Sequence, residues 1–132
     1  MKNILVLGSE GFLGSVLVPY LLNTGNNIIG VDKCFFGKNN TKSNKFKLHQ
    51  TDYKNLSKEF FLGFDVIIDL INISNDPASE LNPKFTKINN YDHKKKIINQ
   101  IKKSKNFEKY IYISSCSVYG FNKKKVNFLG LS

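Results

Sequence analysis

Short apolar runs alternate with stretches of helical periodicity along the chain. Asn3–Leu7 predicts a buried strand. Over residues 11–23 the apolar positions Leu13, Val16, Leu17, Tyr20 and Leu21 recur at helical spacing, which predicts an amphipathic helix. Gly25 stands where a helix C-cap falls. Pro19 lies inside that helix, where a proline costs about 3 kcal/mol, yet the apolar stripe continues past it. Asn27–Asp32 predicts a second strand, residues 33–44 a polar Gly/Asn/Lys loop, and residues 45–49 a short third strand. Residues 56–62 predict a short helix closed by Gly63. Residues 65–71 form an almost unbroken apolar run, the pattern of a parallel strand covered on both faces. A loop follows over 72–82. Pro83 then suits the first position of a helix running to about residue 105, and residues 109–114 predict a fifth strand.

Composition narrows the function classes. The 132 residues are enough for one domain with one modest core. No apolar run approaches the roughly 18 residues of a membrane span. The first apolar run, residues 4–7, is too short for a signal peptide, so a cytoplasmic location without membrane contact is expected. The net charge of +10 comes entirely from lysine. Nucleic-acid sites favour arginine for bidentate and stacking contacts, and its absence argues against that class of partner. The chain is also rich in Asn and Ile, so runs such as Lys94-Lys95-Lys96 and Lys123-Lys124-Lys125 read as solvated surface. Cys34 and Cys116 lack a CxxC partner, and His49 and His93 lack metal-ligand spacing. Free thiols and no metal site are expected.

The segment Gly8-Ser9-Glu10-Gly11-Phe12-Leu13-Gly14 follows a predicted strand directly and opens a helix. Gly8 permits a tight turn, Gly11 lets a pyrophosphate approach the backbone, and Gly14 lets the helix pack close to the sheet. The free N–H groups at the helix start, around Phe12 and Leu13, suit phosphates. Asp32 ends the second strand, where a carboxylate accepts hydrogen bonds from adenosine ribose hydroxyls and repels a 2′-phosphate. This favours NAD over NADP, an inclination that the neighbouring Lys33 tempers. The expected fold is α/β: a Rossmann-like, doubly wound parallel sheet of about five strands with right-handed crossovers. Residues 1–120 are expected to form the NAD-binding domain and 121–132 a tail.

The spacing G-x-x-G-x-x-G resembles the extended short-chain dehydrogenase/reductase superfamily, in its NAD-dependent nucleotide-sugar epimerase/dehydratase branch. The resemblance runs from Lys2 to about Gly120. Thr51-Asp52-Tyr53 resembles the acidic segment that contacts the adenine amino group, which makes Asp52 and Tyr53 candidate cofactor residues. Asp65-Val66-Ile67-Ile68-Asp69-Leu70 resembles the fourth strand that leads to the cofactor, with Leu70 at its end. Ser74-Asn75-Asp76-Pro77 and Ile88-Asn89 resemble the loop and helix that follow, with Asn89 a cofactor candidate. Ser114-Ser115-Cys116-Ser117-Val118-Tyr119-Gly120 resembles the fifth-strand end, and Ser115 matches the hydroxyl residue that binds the substrate's sugar oxygen. The resemblance also implies small residues after Leu70, where this chain has Ile71 and Asn72. It implies a small pair on the helix where this chain has Asp92 and His93.

The general base implied by the resemblance is a tyrosine followed four residues later by a lysine, some twenty residues beyond Ser115. The sequence stops at Ser132, before that position. Tyr91/Lys95 and Tyr119/Lys123 have the spacing but not the place, and a lysine-rich chain produces such matches by chance. The chain is therefore expected to lack the C-terminal strands and substrate domain, as a fragment or a truncated product, and to turn over little or nothing alone. The complete protein is expected to act on a nucleotide-linked sugar through its transient oxidation by bound NAD. The alternative is a non-catalytic NAD- or ADP-binding module, or one part of a split enzyme. A sheet that stops at the fifth strand also leaves an edge through which the chain is expected to self-associate.

Overall fold

The computed structural model of the chain describes residues 1–73 and 81–114. Five parallel strands form one sheet in the order β3-β2-β1-β4-β5. They are β1 (Asn3–Leu7), β2 (Asn27–Asp32), β3 (Phe46–Gln50), β4 (Val66–Asp69) and β5 (Lys109–Tyr112). The chain leaves β1 for one side of the sheet and later returns to pair β4 against the other edge of β1. That reversal opens a crevice at the carboxyl ends of β1 and β4, where ligands of such sheets bind.

Strand pleating divides the core into two layers. Ile4 and Val6 point to one face, where they meet Val18, Ile28 and Ile68. Leu5 and Leu7 point to the other, with Val31, Ile67, Tyr53, Phe61, Phe64, Ile97 and Ile101. The first face is covered by α1 (Phe12–Asn23). The second is covered by two 3-10 turns, Tyr53–Asn55 and Glu59–Gly63, and by a helical run after Pro83. This is the Rossmann-like architecture that the alternating pattern predicts.

Several elements differ from the sequence expectation, each for a physical reason. In α1 only part of the predicted stripe faces the core: Leu17 and Leu21 pack against it, whereas Leu13, Val16 and Tyr20 are 49%, 71% and 65% exposed. The buried positions are Gly14 and Val18, with Leu17, Leu21 and Leu22 half-buried beside them. A Cβ on Gly14 would lie 2.4 Å from the carbonyl oxygens of Gly8 and Ser9. The helix turns its smallest residue to that close approach, and the rest of the face follows at i+4 spacing. Pro19 is tolerated on the exposed side, and the helix ends as expected, with Gly25 in the left-handed region at φ +85°.

The helix expected over 56–62 is replaced by the two 3-10 turns. Asp52 Oδ1 accepts from the Lys54 N–H at 3.0 Å, and Ser57 Oγ accepts from the Phe60 N–H at 3.3 Å. These local bonds compete with a continuous helix. The helix expected over 83–105 comprises α2 (Pro83–Lys87), a π-turn (Ile88–Asp92) and α3 (His93–Ile101). Asn82 caps it through a 2.9 Å bond from the Phe85 N–H, with Pro83 in the first turn as expected. The fourth and fifth strands are shorter than expected, ending at Asp69 and Tyr112.

Candidate functional site

The loop after β1 is built from its glycines. Gly8 has φ +82° and donates its N–H to the Val31 carbonyl at 2.8 Å, a turn that an L side chain rarely adopts. Gly14 is required by the close approach already described. Gly11 differs. Its φ of −77° suits any residue, and an added Cβ would meet only the Gly8 carbonyl at 3.4 Å, ordinary van der Waals contact. The packing of the chain itself therefore does not demand glycine there. Gly11 is the N-cap of α1, and no side chain caps that terminus. Phe12, just inside it, is 90% exposed. An uncapped N-terminus with unobstructed backbone is a site for an anion.

Ser9 and Gly30 were not singled out in the sequence, although a strand-interior glycine signals a close approach. Ser9 is buried beneath the loop, and a Cβ on Gly30 would lie 2.4 Å from its Oγ. Gly30 thus makes the room that lets the loop sit down on β2.

Asp32 fastens the loop from the far side. Its Oδ2 accepts from the Glu10 N–H at 3.0 Å, and its Oδ1 from the Cys34 N–H at 2.7 Å. The second bond holds Cys34 in the left-handed region at φ +60°. Each carboxylate oxygen has two lone pairs, so Asp32 retains acceptor capacity toward the cleft. The Glu10 carboxylate accepts from the Asn39 N–H and ties the polar loop after β2 to the glycine loop.

A cleft of about 280 Å³ gathers Asp32, Asp52, Tyr53 and Asn89. Lys33, Phe35, Ile71 and Asn72 share its walls. Asp52 Oδ2 lies 2.8 Å from Lys33 Nζ and 3.5 Å from Lys54 Nζ. Burial works to raise the Asp52 carboxyl. The Lys33 hydrogen bond, the Lys54 N–H and both ammonium charges outweigh it and hold the group below its ordinary range. Asn89 is buried in the π-turn, donating to the Phe85 carbonyl at 2.7 Å and accepting from Lys54 Nζ at 3.3 Å. Leu70 lies beside Gly8, its N–H bonded to the Leu7 carbonyl at 3.0 Å.

The floor of the crevice corrects one expectation. Lys94, read as part of a solvated run, is 4% exposed and pairs with the fully buried Asp69 at 2.6 Å. It also donates to the Ile71 carbonyl at 2.7 Å and lies 4.9 Å from the centre of the Tyr53 ring. Burial draws the Lys94 ammonium down, and Asp69 opposes that shift. Tyr110 donates to Asp69 Oδ2, while the Ile71 N–H donates to Asp69 Oδ1 at 3.1 Å. Burial, reinforced by the Asp69 charge, raises the hydroxyls of Tyr53, Tyr110 and Tyr112. These phenols stay neutral and serve as donors. Asn90 clamps both backbone polar groups of Ile73, at 3.0 and 2.8 Å. Asn72 accepts from the Tyr112 hydroxyl at 3.0 Å. The segment 71–73 is thereby fixed at the mouth of the crevice.

Ser115, the loop 74–77 and the Tyr119/Lys123 pair lie outside the described residues. Tyr91 is exposed on the π-turn, its ring 5.5 Å from Lys95 Nζ, and it does not line the cleft. Asp92 pairs with Lys87 at 3.0 Å, and the His93 ring stands edge-on to Tyr53.

The chain is 32% identical to Protein CapI of Staphylococcus aureus, covering 92% of this chain and 40% of that protein. Among solved structures, a UDP-N-acetylglucosamine 4-epimerase from Methanobrevibacter ruminantium, in complex with UDP-N-acetylmuramic acid, superposes with a TM-score of 0.81 at 30% identity. That match covers 92% of this chain and 40% of the epimerase. A UDP-glucuronic acid 4-epimerase from Bacillus cereus in complex with NAD shares the fold, with a TM-score of 0.71 at 24% identity over 91% of this chain and 42% of that one. The chain thus spans about 40% of the length of the first two relatives. Residues 4–128 match the NAD dependent epimerase/dehydratase family, and a match of that extent decides membership: the chain belongs to the NAD-dependent epimerase/dehydratase family.

Proposed function

We propose that this chain binds NAD across the carboxyl ends of β1 and β4, as the cofactor-holding part of an enzyme that acts on nucleotide-linked sugars. The observation that carries the reading is Gly11. It is a glycine that the chain's own packing does not need, at the uncapped N-terminus of a 12-residue helix. The residues present fit the cofactor. The loop from Gly8 through Gly11, Phe12 and Leu13 to Gly14 would hold the pyrophosphate, and Asp32 would accept from the adenosine ribose. Asp52 and Tyr53 would flank the adenine, and Leu70 and Asn89 would line the path toward the nicotinamide. Ser115 would bind the substrate's sugar oxygen. When bound, NAD would supply a hydride acceptor for transient oxidation of the sugar. The chain's own part is to bind and orient, with segment 71–73 at the cleft wall held by Lys94, Asp69 and Asn90.

Calorimetry with NAD and ADP-ribose on the folded chain tests this reading. Gly11→Val should abolish binding while leaving the far-ultraviolet circular dichroism unchanged, because a side chain there occupies the space of the pyrophosphate. Unchanged affinity in a folded Gly11→Val variant would refute the assignment.

A further inference from the structure

We propose that Asp52 makes the site selective for a dinucleotide lacking a 2′-phosphate, by sequestering the ammonium of Lys33. The inference rests on the cofactor reading above and adds to it a residue that acts through another.

Lys33 follows Asp32 directly and shares the cleft wall with it. A free ammonium there would attract a 2′-phosphate and undo the repulsion that Asp32 supplies. The structure engages that ammonium on two sides. Lys33 Nζ lies 2.8 Å from Asp52 Oδ2 and 5.1 Å from the centre of the Phe35 ring. Asp52 is fixed in turn. Its side chain is only 15% exposed, and its other oxygen accepts from the Lys54 N–H at 3.0 Å as the cap of the following 3-10 turn. Lys54 is itself divided between Asp52, Asn89 Oδ1 at 3.3 Å and the face of Phe85. Among the described residues the wall therefore carries two carboxylates, Asp32 and Asp52, against two ammoniums, Lys33 and Lys54. These residues leave no surplus positive charge to offer a dianionic phosphate. Removing the Asp52 charge leaves Lys33 free beside the ribose position. One ammonium about 5 Å from a phosphate in a water-like dielectric is worth on the order of ten-fold in affinity.

The test is calorimetry on the full chain with NAD and NADP, for the unmodified protein, Asp52→Asn, Lys33→Gln and the double variant. Any direct contact of Asp52 with adenine is common to both ligands and cancels in the ratio of their affinities. Asp52→Asn should shift that ratio toward NADP by about ten-fold, and the shift should shrink as salt is raised. The double variant should lose the gain, and Lys33→Gln alone, which leaves the Asp52 charge unpaired on the wall, should shift the ratio the other way, toward NAD. Asp52→Ser also retains a capping oxygen, and it serves as a second charge-removing variant should the asparagine variant not fold. An unchanged ratio in a variant that still binds NAD overturns the Lys33 inference and leaves the cofactor reading intact. An unmodified chain that binds neither dinucleotide overturns both.

Discussion

Replacing Lys94 by methionine removes the ammonium that neutralises Asp69 while retaining most of the side chain's volume. Asp69 is fully buried, so the variant strands a carboxylate whose remaining partners among the described residues are the Tyr110 hydroxyl and the Ile71 N–H. The Ile71 carbonyl loses its 2.7 Å donor as well. Breaking a buried pair from one side costs about 3–5 kcal/mol, because the remaining charge is uncompensated. That is a large part of the roughly 5–15 kcal/mol that holds a domain folded. With a urea m-value of about 2 kcal/mol/M, the denaturation midpoint should fall by roughly 2 M. Adding Asp69→Asn to Lys94→Met removes the stranded charge and should recover part of the loss. The cycle should therefore show a coupling on the order of 2–3 kcal/mol. Equilibrium urea unfolding followed by circular dichroism measures all four proteins. A Lys94→Met midpoint within about 0.5 M of the unmodified chain would mean that Lys94 is the solvated lysine its neighbours in sequence suggest, and the reasoning would fail.

Two further outcomes follow from the geometry. The Asp52 carboxyl is held below its ordinary value of 3.8 in the folded chain, so the stability it contributes is complete above that value and is lost as pH falls through its folded value. Urea midpoints measured from about pH 5 to 2 should therefore decline less steeply in Asp52→Asn than in the unmodified chain, and parallel curves would contradict the assignment. Gly14→Ala should destabilise by about 2–3 kcal/mol, since its Cβ would meet backbone oxygens that cannot move aside. Gly11→Ala, whose Cβ meets nothing closer than 3.4 Å, should stay within about 1 kcal/mol, and equal thermal midpoints for the two variants would refute the contrast.

What the sequence by itself determined was the local framework. β1 and β2 were legible to the residue, because their apolar runs need cover on both faces and are bounded by turn residues. The glycine loop was legible because its spacing serves a backbone need. The gathering of Asp32, Asp52, Tyr53 and Asn89 in one cleft was implied by resemblance, and the strand order β3-β2-β1-β4-β5 brings them together. Tertiary structure decided the rest. The rotation of α1 was hidden because periodicity counts large apolar residues, whereas the contact that orients this helix is made by Gly14, which has no side chain to count. The burial of Lys94 was hidden because its partner, Asp69, lies on another element, 25 positions away. Only the crossover that lays α3 over β4 turns one lysine of a charged run into half of a buried pair. The sequestration of Lys33 by Asp52 has the same origin. Charge pairing between elements depends on where the sheet places their ends, and no local pattern of polar and apolar residues encodes that.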